Sequence, residues 1–346
     1  MAATPAAVLA QLQAADTLVL VGHEDPDGDC VASQLVLGEF LAGRGKRVGL
    51  YSAGPFERHE IRAYAPRFRP VIEAEMLRAG PTAVLLDCAD PERTGSLAPQ
   101  LAGLPAVVID HHVAAPPDEG AVPYGDIRLV DPAAPATAYL VQLVVAAAGA
   151  ELSRAQVELL LFGLCTDTGF FRHVAAGHTA AFQAAAQLVA LGANPRATYQ
   201  RIYGGRSFDQ RRLLGALLQR TEQHAGGRVL FTWQSRRDLQ EYGAPAASHD
   251  ELYDLLRTVA DSDVVAFVRE KPDGNCSVSL RSGPLLDVAS VAREFGGGGH
   301  RQAAGFTWRS TVAALRGALL PRLTDACARS PSDWRASGSS DGTPYG

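Results

Sequence analysis

The chain has 346 residues, of which 47% are hydrophobic and 20% are charged, a composition typical of a folded protein rather than a disordered one. Lys and Arg number 32 and Asp and Glu number 37, which gives a formal net charge of −5. This balance excludes a strongly basic protein that holds long nucleic acid by neutralising its phosphates. The length predicts two domains, each large enough for its own core.

The first half of the chain alternates strand and helix patterns. Short apolar runs predict strands at Thr17–Gly22, Arg47–Ser52, Ala83–Asp87, Ala106–Asp110 and Ile127–Asp131. A helix is predicted at Val31–Leu41, after the first of them. Continuous apolar runs are typical of strands buried on both faces, and their alternation with helices predicts an α/β fold. We therefore expect a mostly parallel sheet with helices on both faces.

The middle of the chain, from Ala136 to Gln219, is predicted to be mainly helical, with helices at Glu151–Cys165 and Ala180–Leu191. The segment Pro195–Arg206 is predicted to be a connection. These patterns predict a first domain at 1–195, a helical linker at 196–225, a second domain at 226–329 and a disordered tail at 330–346 that is rich in Ser, Gly and Pro.

The second domain is predicted to be a smaller α/β unit. Its predicted strands are Arg228–Trp233, Asp263–Arg269, Ser277–Arg281 and Gly305–Trp308, and its predicted helices are Glu251–Val259, Asp287–Phe295 and Thr311–Ala328. Lys271–Asn275 has the turn residues of a hairpin.

Four polar clusters stand out in the first half: His23–Asp29 (HEDPDGD), Asp87, Asp110–His112 and Thr166–Gly169. Each one alone is typical of a loop, a helix cap or a surface feature. Three of them follow predicted strands, and ligands of an open parallel sheet bind at the carboxyl ends of its strands. Asp and His are ligands that suit Mn²⁺, Mg²⁺ or Fe.

The charges of these clusters favour a metal site. Four carboxylates would converge, those of Asp27, Asp29, Asp87 and Asp167. At ~4 Å each pair repels by about 4 kcal/mol at an effective dielectric of about 20, and two divalent cations would balance the four charges. With His23 and His111 added, the ligands suit two ions that share a bridging carboxylate. Such a pair stabilises in-line displacement at phosphorus, which predicts metal-assisted phosphoester hydrolysis.

Five widely spaced cysteines indicate neither a disulfide framework nor a thiolate zinc site. Cys30, Cys88 and Cys165 each lie within two residues of a proposed ligand. We expect them to be small buried packing residues, with a thiolate ligand as the alternative.

The ordered motifs resemble those of the DHH phosphoesterase superfamily. The resemblance is carried by HxxxDGD at His23–Asp29, the strand-ending Asp87, Asp110–His112 and Thr166–Gly169. Gly296–His300 (GGGGH), followed by AAGF at 303–306, resembles the DHH-associated substrate-binding domain. The resemblance spans about residues 15 to 325. Within the superfamily, the length and the pair of domains are most similar to the NrnA-type nanoRNase and pAp phosphatase branch.

The resemblance implies a role for each residue of these motifs. One Mn²⁺ would be held by His23, Asp27 and Asp87, and the other by Asp29, Asp87, His111 and Asp167. His112 would contact the scissile phosphate or the nucleophilic water, and Asp110 stands with it as a catalytic residue. The substrate residues of the second domain would be Arg281, Ser282, Gly297, Gly298, Gly299 and His300.

The implied function is a Mn²⁺-dependent phosphoesterase, with Mg²⁺ or another divalent ion as a substitute. Its expected substrates are short oligonucleotides, pAp and linear or cyclic dinucleotides such as c-di-AMP. Neither long nucleic acid nor a membrane is an expected partner, and a homodimer in the cytoplasm is expected. The alternatives are a family II-like inorganic pyrophosphatase and a non-catalytic nucleotide-binding protein.

Overall fold

The computed structural model describes residues 3–112, 123–243 and 250–330. The chain forms two compact units that divide between Gly205 and Arg206. The predicted linker at 196–225 contains regular helix and strand, and the predicted domain limits stay a prediction. The predicted disordered tail lies outside the described residues except for Ser330.

The first unit is built on a sheet whose described strands are all parallel and follow the order β2-β1-β3-β4-β5. The strands are β1 (Thr17–Gly22), β2 (Arg47–Tyr51), β3 (Thr82–Leu86), β4 (Ala106–Asp110) and β5 (Ile127–Val130). Each predicted strand is confirmed to within one residue at either end, and so is the predicted fold class.

Alternate residues of each strand bury opposite faces of this sheet. Leu18 and Leu20 belong to one buried cluster, whereas Val19 and Val21 belong to another. Because both faces are covered, the three central strands β1, β3 and β4 are buried along their whole length. The helices of this unit are α1 (Pro5–Ala14), α2 (Gly28–Ala42), α3 (Ala74–Arg78), α4 (Ala98–Leu101), α5 (Thr137–Ala147), α6 (Arg154–Asp167), α7 (Ala180–Ala190) and α8 (Pro195–Tyr203).

Several helices begin or end at other residues than predicted, and for two of them, α2 and α8, the reason is local. Helix α2 begins at Gly28, earlier than predicted, because the Asp27 carboxylate caps it. Helix α8 replaces the predicted connection, so that prediction was wrong. The Asn194 side chain caps α8, Pro195 suits its first turn, and Ile202 anchors it in the core.

The second unit contains a mixed sheet in the order β10-β11-β9-β8-β7-β6, in which only β7 and β8 pair in parallel among the described strands. The strands are β6 (Glu222–His224), β7 (Val229–Gln234), β8 (Val264–Glu270), β9 (Cys276–Ser282), β10 (Gly298–His300) and β11 (Ala303–Trp308). The helices are α9 (Phe208–Gln219), α10 (Arg236–Tyr242), α11 (Asp250–Arg257), α12 (Val288–Glu294) and α13 (Val312–Arg329). The predicted Lys271–Asn275 hairpin is confirmed between β8 and β9. Of the helices in the described ranges, none has the length and apolarity that crossing a bilayer requires.

Candidate metal centre

In the loop between β1 and α2, hydrogen bonds with the backbone orient the side chains of Asp27 and His23. The Asp27 Oδ1 atom accepts hydrogen bonds from the backbone N–H groups of Asp29 (2.9 Å) and Cys30 (3.0 Å), and so caps α2. The Nδ1 atom of His23 lies 2.8 Å from the carbonyl oxygen of Glu24. Since a carbonyl oxygen only accepts, Nδ1 is the donor of this hydrogen bond, and Nε2 is the ring atom that can bind a metal.

Asp87 lies at the carboxyl end of β3 and is the residue on which the other groups converge. Its backbone has a left-handed φ of 64°, and the residue is only 1% exposed. Its Oδ1 atom accepts a hydrogen bond of 3.0 Å from the Thr137 hydroxyl. Its Oδ2 atom lies 3.4 Å from His23 Nε2 and has no hydrogen-bond partner among the described residues. A buried carboxylate oxygen without a donor is costly unless a cation fills that role.

Asp29 is fully buried and serves helix α5 as well as the site. Helix α5 has no side-chain cap of its own, since Ala136 precedes its first residue. The Asp29 carboxylate supplies the cap by accepting from the backbone N–H groups of Thr137 (2.6 Å) and Ala138 (2.8 Å). Thr137 therefore contacts two proposed ligands, Asp29 and Asp87, and the sequence analysis missed it. The available signal was a threonine at the start of a helix that lacks a local cap.

The DHH segment extends from the end of β4. Asp110 is buried, and its Oδ1 atom accepts from the backbone N–H of His112 (3.1 Å) and lies 2.8 Å from His112 Nδ1. The His111 Nδ1 atom lies 3.3 Å from the Ala134 carbonyl oxygen, so His111 has the same orientation as His23. Its Nε2 atom lies 3.6 Å from Asp87 Oδ1 and 3.5 Å from Asp167 Oδ2.

The pKa shifts of the clustered residues indicate an excess of buried negative charge. Burial, with the charges of Asp29 and Asp27, raises the pKa of Asp87 well above its usual range. Burial and the charge of Asp29 raise the pKa of Asp167 to about 7. Burial alone would lower the pKa of His111, but Asp167, Asp29 and Asp87 raise it to about 9. The cluster therefore retains protons at positions that a divalent cation could occupy.

Three sets of potential ligand atoms, each with its members within 4.8 Å of one another, occur among the described residues. They are His23 with Cys30 and Asp87, Asp87 with His111 and His112, and Asp29 with His111 and Asp167. Asp87 belongs to two of these sets, as a carboxylate shared by two ions would, and His111 also belongs to two. Of the six predicted metal ligands, only Asp27 belongs to none of these sets.

Cys30 joins the first set, although it was expected to be a packing residue. Burial, with the charge of Asp87, raises the pKa of its thiol well above the ordinary value. Without a metal the thiol is therefore neutral, and its position beside His23 follows from its packing in α2.

The residues predicted to bind substrate lie in the second unit, at one end of its sheet. The Arg281 guanidinium lies 5.1 Å from the centre of the Tyr253 ring, and His300 is exposed. Ser282 is buried, and its hydroxyl donates to the Leu286 carbonyl oxygen at 2.7 Å.

At two of the three glycines predicted to bind substrate, the structure explains why a side chain is not tolerated. A Cβ atom on Gly297 would lie 2.2 Å from the Gly305 carbonyl oxygen, and one on Gly299 would lie 2.5 Å from that of Ala303. Both glycines therefore allow β11 to approach closely. Gly298 has open space at its Cβ position, which leaves it accessible to a ligand.

Comparison with known proteins adds two family matches. A family model described as "DHH family, N-terminal domain" matches residues 17–164, and one described as "DHHA1 domain" matches residues 221–326. Among solved structures, an exopolyphosphatase-related protein from Bacteroides fragilis has a TM-score of 0.77 at 20% identity, covering 92% of this chain and 97% of its own. RecJ in complex with Mn²⁺ from Thermus thermophilus has a TM-score of 0.52 at 17% identity, covering 95% of this chain and 55% of its own. At these identities the two structures show a shared fold.

Two curated relatives carry the name "Bifunctional oligoribonuclease and PAP phosphatase NrnA". The relative from Thermus thermophilus is 30% identical over 295 residues, which cover 84% of this chain and 83% of the relative. The relative from Bacillus subtilis is 25% identical over 300 residues, which cover 85% of this chain and 90% of the relative.

Proposed function

The chain belongs to the DHH family, in its NrnA-type branch, and on that premise we propose that it is a phosphoesterase that uses two divalent ions to hydrolyse very short nucleotides. Mn²⁺ is the proposed ion, and Mg²⁺ is the first substitute. The names of the relatives support short oligoribonucleotides and pAp as substrates. Linear dinucleotides and c-di-AMP extend the same chemical class.

One observation carries the proposal. Two histidines turn Nδ1 toward a backbone carbonyl oxygen and direct Nε2 at the same buried carboxylate, that of Asp87. Metal-binding histidines have this arrangement, because the carbonyl oxygen fixes the tautomer and the ring orientation. The unpartnered Oδ2 atom of Asp87 indicates where positive charge is needed.

We assign the ligands as the family resemblance implies. His23, Asp27 and Asp87 would hold one ion, and Asp29, Asp87, His111 and Asp167 would hold the other. Asp27 fits this assignment even though Oδ1 caps α2, because its Oδ2 atom is not used in the cap. When bound, the two ions would lower the pKa of an attacking water and neutralise charge on the phosphoryl oxygens.

The protein's own contribution is orientation and proton transfer. Burial favours the neutral acid of Asp110, but its hydrogen bond with His112 outweighs this and lowers the pKa of Asp110. The resulting carboxylate orients the His112 ring through Nδ1, and the His112 side chain is 40% exposed. Its Nε2 atom is therefore suited to contact the scissile phosphate or to protonate the leaving oxygen.

The second unit is proposed to bind the nucleotide. Arg281 and His300 supply donors for phosphate oxygens, and the backbone of Gly298 permits a close approach. Ser282 stays a prediction, since its hydroxyl already donates to Leu286. A cytoplasmic location and a homodimer are likewise kept as proposals.

An activity panel with Mn²⁺ tests the proposal. Values of kcat/KM would be compared for pAp, a dinucleotide, a 5-mer, a 24-mer, c-di-AMP and inorganic pyrophosphate, each with and without a chelator. We expect chelator-sensitive hydrolysis of the short nucleotides and little turnover of the 24-mer. Turnover of pyrophosphate alone would favour the pyrophosphatase alternative, and nucleotide binding without hydrolysis would favour the non-catalytic one. Hydrolysis unchanged by metal removal would refute the two-metal centre.

A further inference from the structure

We propose that Tyr253, in α11, is a positioning residue that holds the Arg281 guanidinium in the orientation in which it receives a substrate phosphate. The inference rests on the proposed function, in which Arg281 is a phosphate donor, and adds the residue that orients it. Tyr253 lies outside the sequence motifs that carry the family resemblance.

Strand pairing places Arg281 on the same face of the second sheet as α11. Arg281 is opposite Val265 of β8, and residues directly opposite in antiparallel strands point to the same face. Val265 belongs to the hydrophobic cluster that includes Tyr253. Leu280, the residue before Arg281, belongs to the cluster on the other face. Arg281 therefore points to the face that α11 covers.

The Tyr253 ring contacts Arg281 and is itself fixed by the core. The Arg281 Cζ atom lies 5.1 Å from the centre of the ring, which is within the range of cation–π contacts. The Phe267 ring packs against Tyr253 edge to face, with centroids 6.2 Å apart and planes at 84°. Tyr253 is 7% exposed, so its ring has a fixed position before any ligand binds.

Arg281 retains donors for a ligand. A guanidinium has N–H groups on each of its nitrogens, and within the described ranges Arg281 donates from Nη1 to the Leu280 carbonyl oxygen at 3.1 Å. No carboxylate of those ranges lies within ion-pair distance of it. A half-buried guanidinium without a counter-ion favours an anionic ligand such as a phosphate.

The other predicted phosphate donor of this unit, His300, lies on the same face. Arg281 is opposite Ala303 of β11, and Ala303 is opposite His300 of β10. Arg281 and His300 are therefore two strands apart, roughly 10 Å at the ~4.8 Å spacing of neighbouring strands. A ligand that contacts both lies above the small Ala303 side chain. An arginine held in one direction meets such a ligand without the loss of entropy that a freely rotating one incurs.

The test is a double-mutant cycle of Tyr253 and Arg281 with Mn²⁺ present. Kinetics would give KM and kcat for pAp, and calorimetry would give the Kd of AMP, which remains when pAp loses one phosphate. Tyr253→Leu removes the ring, and Tyr253→Phe keeps it. The matched control is Tyr242→Leu, because the Tyr242 ring centre lies 5.1 Å from the Cζ atom of Arg212, which pairs with Asp209.

We expect Tyr253→Leu to raise KM for pAp and Kd for AMP about 3- to 10-fold, the range for ordering one flexible side chain on binding. The value of kcat should change less than about twofold, because the ring affects binding and not the reacting atoms. Tyr253→Phe and Tyr242→Leu should bind AMP within about twofold of wild type. In an Arg281→Ala background, Tyr253→Leu should cause no further loss, since no guanidinium is left to orient.

Four results would overturn the inference. They are AMP binding within about twofold of wild type in folded Tyr253→Leu, an equal loss in Tyr253→Phe, an equal loss in Tyr242→Leu, and an undiminished further loss in the Arg281→Ala background. The last would show that Tyr253 acts through general packing.

Two measures keep the outcome decisive. Circular dichroism checks folding, and if Tyr253→Leu does not fold, Tyr253→Met is assessed by the same criteria. If the wild-type protein binds AMP but hydrolyses none of the nucleotides, the proposed function fails, while the AMP cycle still decides the role of Tyr253. A folded wild-type protein that does not bind AMP would refute the positioning role itself.

Discussion

Thr137 provides a direct test of how the site holds its central carboxylate. Its hydroxyl donates to Asp87 Oδ1 at 3.0 Å, and the two residues are 0% and 1% exposed. Thr137→Val removes this donor at nearly constant volume and keeps the backbone N–H that donates to the Asp29 carboxylate. The substitution therefore separates the hydroxyl bond from the helix cap.

The magnitude follows from the charge state of Asp87. A hydrogen bond to a charged group contributes about 1.5–3 kcal/mol, and every ~1.4 kcal/mol corresponds to a factor of ten in affinity. Burial raises the pKa of Asp87 in the metal-free protein, so the bond is strongest when a cation ionises the carboxyl. We expect Thr137→Val to weaken Mn²⁺ binding by about 10- to 100-fold. The melting temperature of the metal-free protein should change much less.

The assay is calorimetric titration with Mn²⁺ combined with thermal unfolding at increasing Mn²⁺ concentration. Thr137→Ser keeps the hydroxyl and should bind nearly as wild type does. Thr198→Val is the matched control, since the buried Thr198 hydroxyl donates to the Asn194 carbonyl oxygen at 3.1 Å within α8. If folded Thr137→Val binds Mn²⁺ within about twofold of wild type, the hydroxyl does not position Asp87 and the reasoning is wrong.

The remaining predictions concern the metal, pH and substrate. Asp87→Asn should reduce Mn²⁺-dependent hydrolysis by about 1000-fold or more and abolish the Mn²⁺-induced rise in Tm, and retention of either would contradict the bridging role. The pKa values of Asp167 (about 7) and His111 (about 9) are raised above their ordinary 3.8 and 6.5, so each group binds its proton more tightly in the folded state. That stabilisation is complete at low pH and is lost as pH rises through these values. Urea denaturation of the metal-free protein between pH 6.5 and 9 should therefore show a free energy of unfolding that falls with pH, by up to about 1.4 kcal/mol per pH unit for each proton retained. The affinity for Mn²⁺ should rise over the same pH range, because the ligands lose their protons. A free energy that rises with pH would contradict this assignment. His300→Ala should raise KM for pAp about tenfold with unchanged Mn²⁺ content, and a loss of metal instead would place this residue in the metal centre.

Much of the first unit could be predicted because its strands are short, continuous and apolar. A strand such as Ala106–Asp110 has five buried residues, so the pattern is strong and its polar end is conspicuous. Since parallel strands bring their carboxyl ends to one edge, the sequence alone predicts that Asp87 and His111 lie close together.

Other features could not be predicted because they depend on distant contacts. The hydrogen bonds of Thr137 join residues 50 and 108 positions apart, and the local signal at the start of α5 does not identify these distant partners. Strand β10 consists of Gly298–His300, whose composition is that of a loop, and it forms because β11 pairs with it. Helix α8 was missed because its buried face consists mainly of Thr198 and Ile202, too few residues for a clear apolar period.

The double use of Asp27 and Asp29 constrains how such a protein can change during evolution. Each of these carboxylates fastens the first turn of a helix, α2 or α5, in addition to its proposed role at the ions. The His23 side chain caps none of the described helices, since its hydrogen bond is with the adjacent Glu24. A descendant released from selection for hydrolysis would therefore tolerate replacement of His23 sooner than replacement of either aspartate. In such a lineage, conservation of these aspartates would reflect their structural role as helix caps and would not show that catalytic activity is retained.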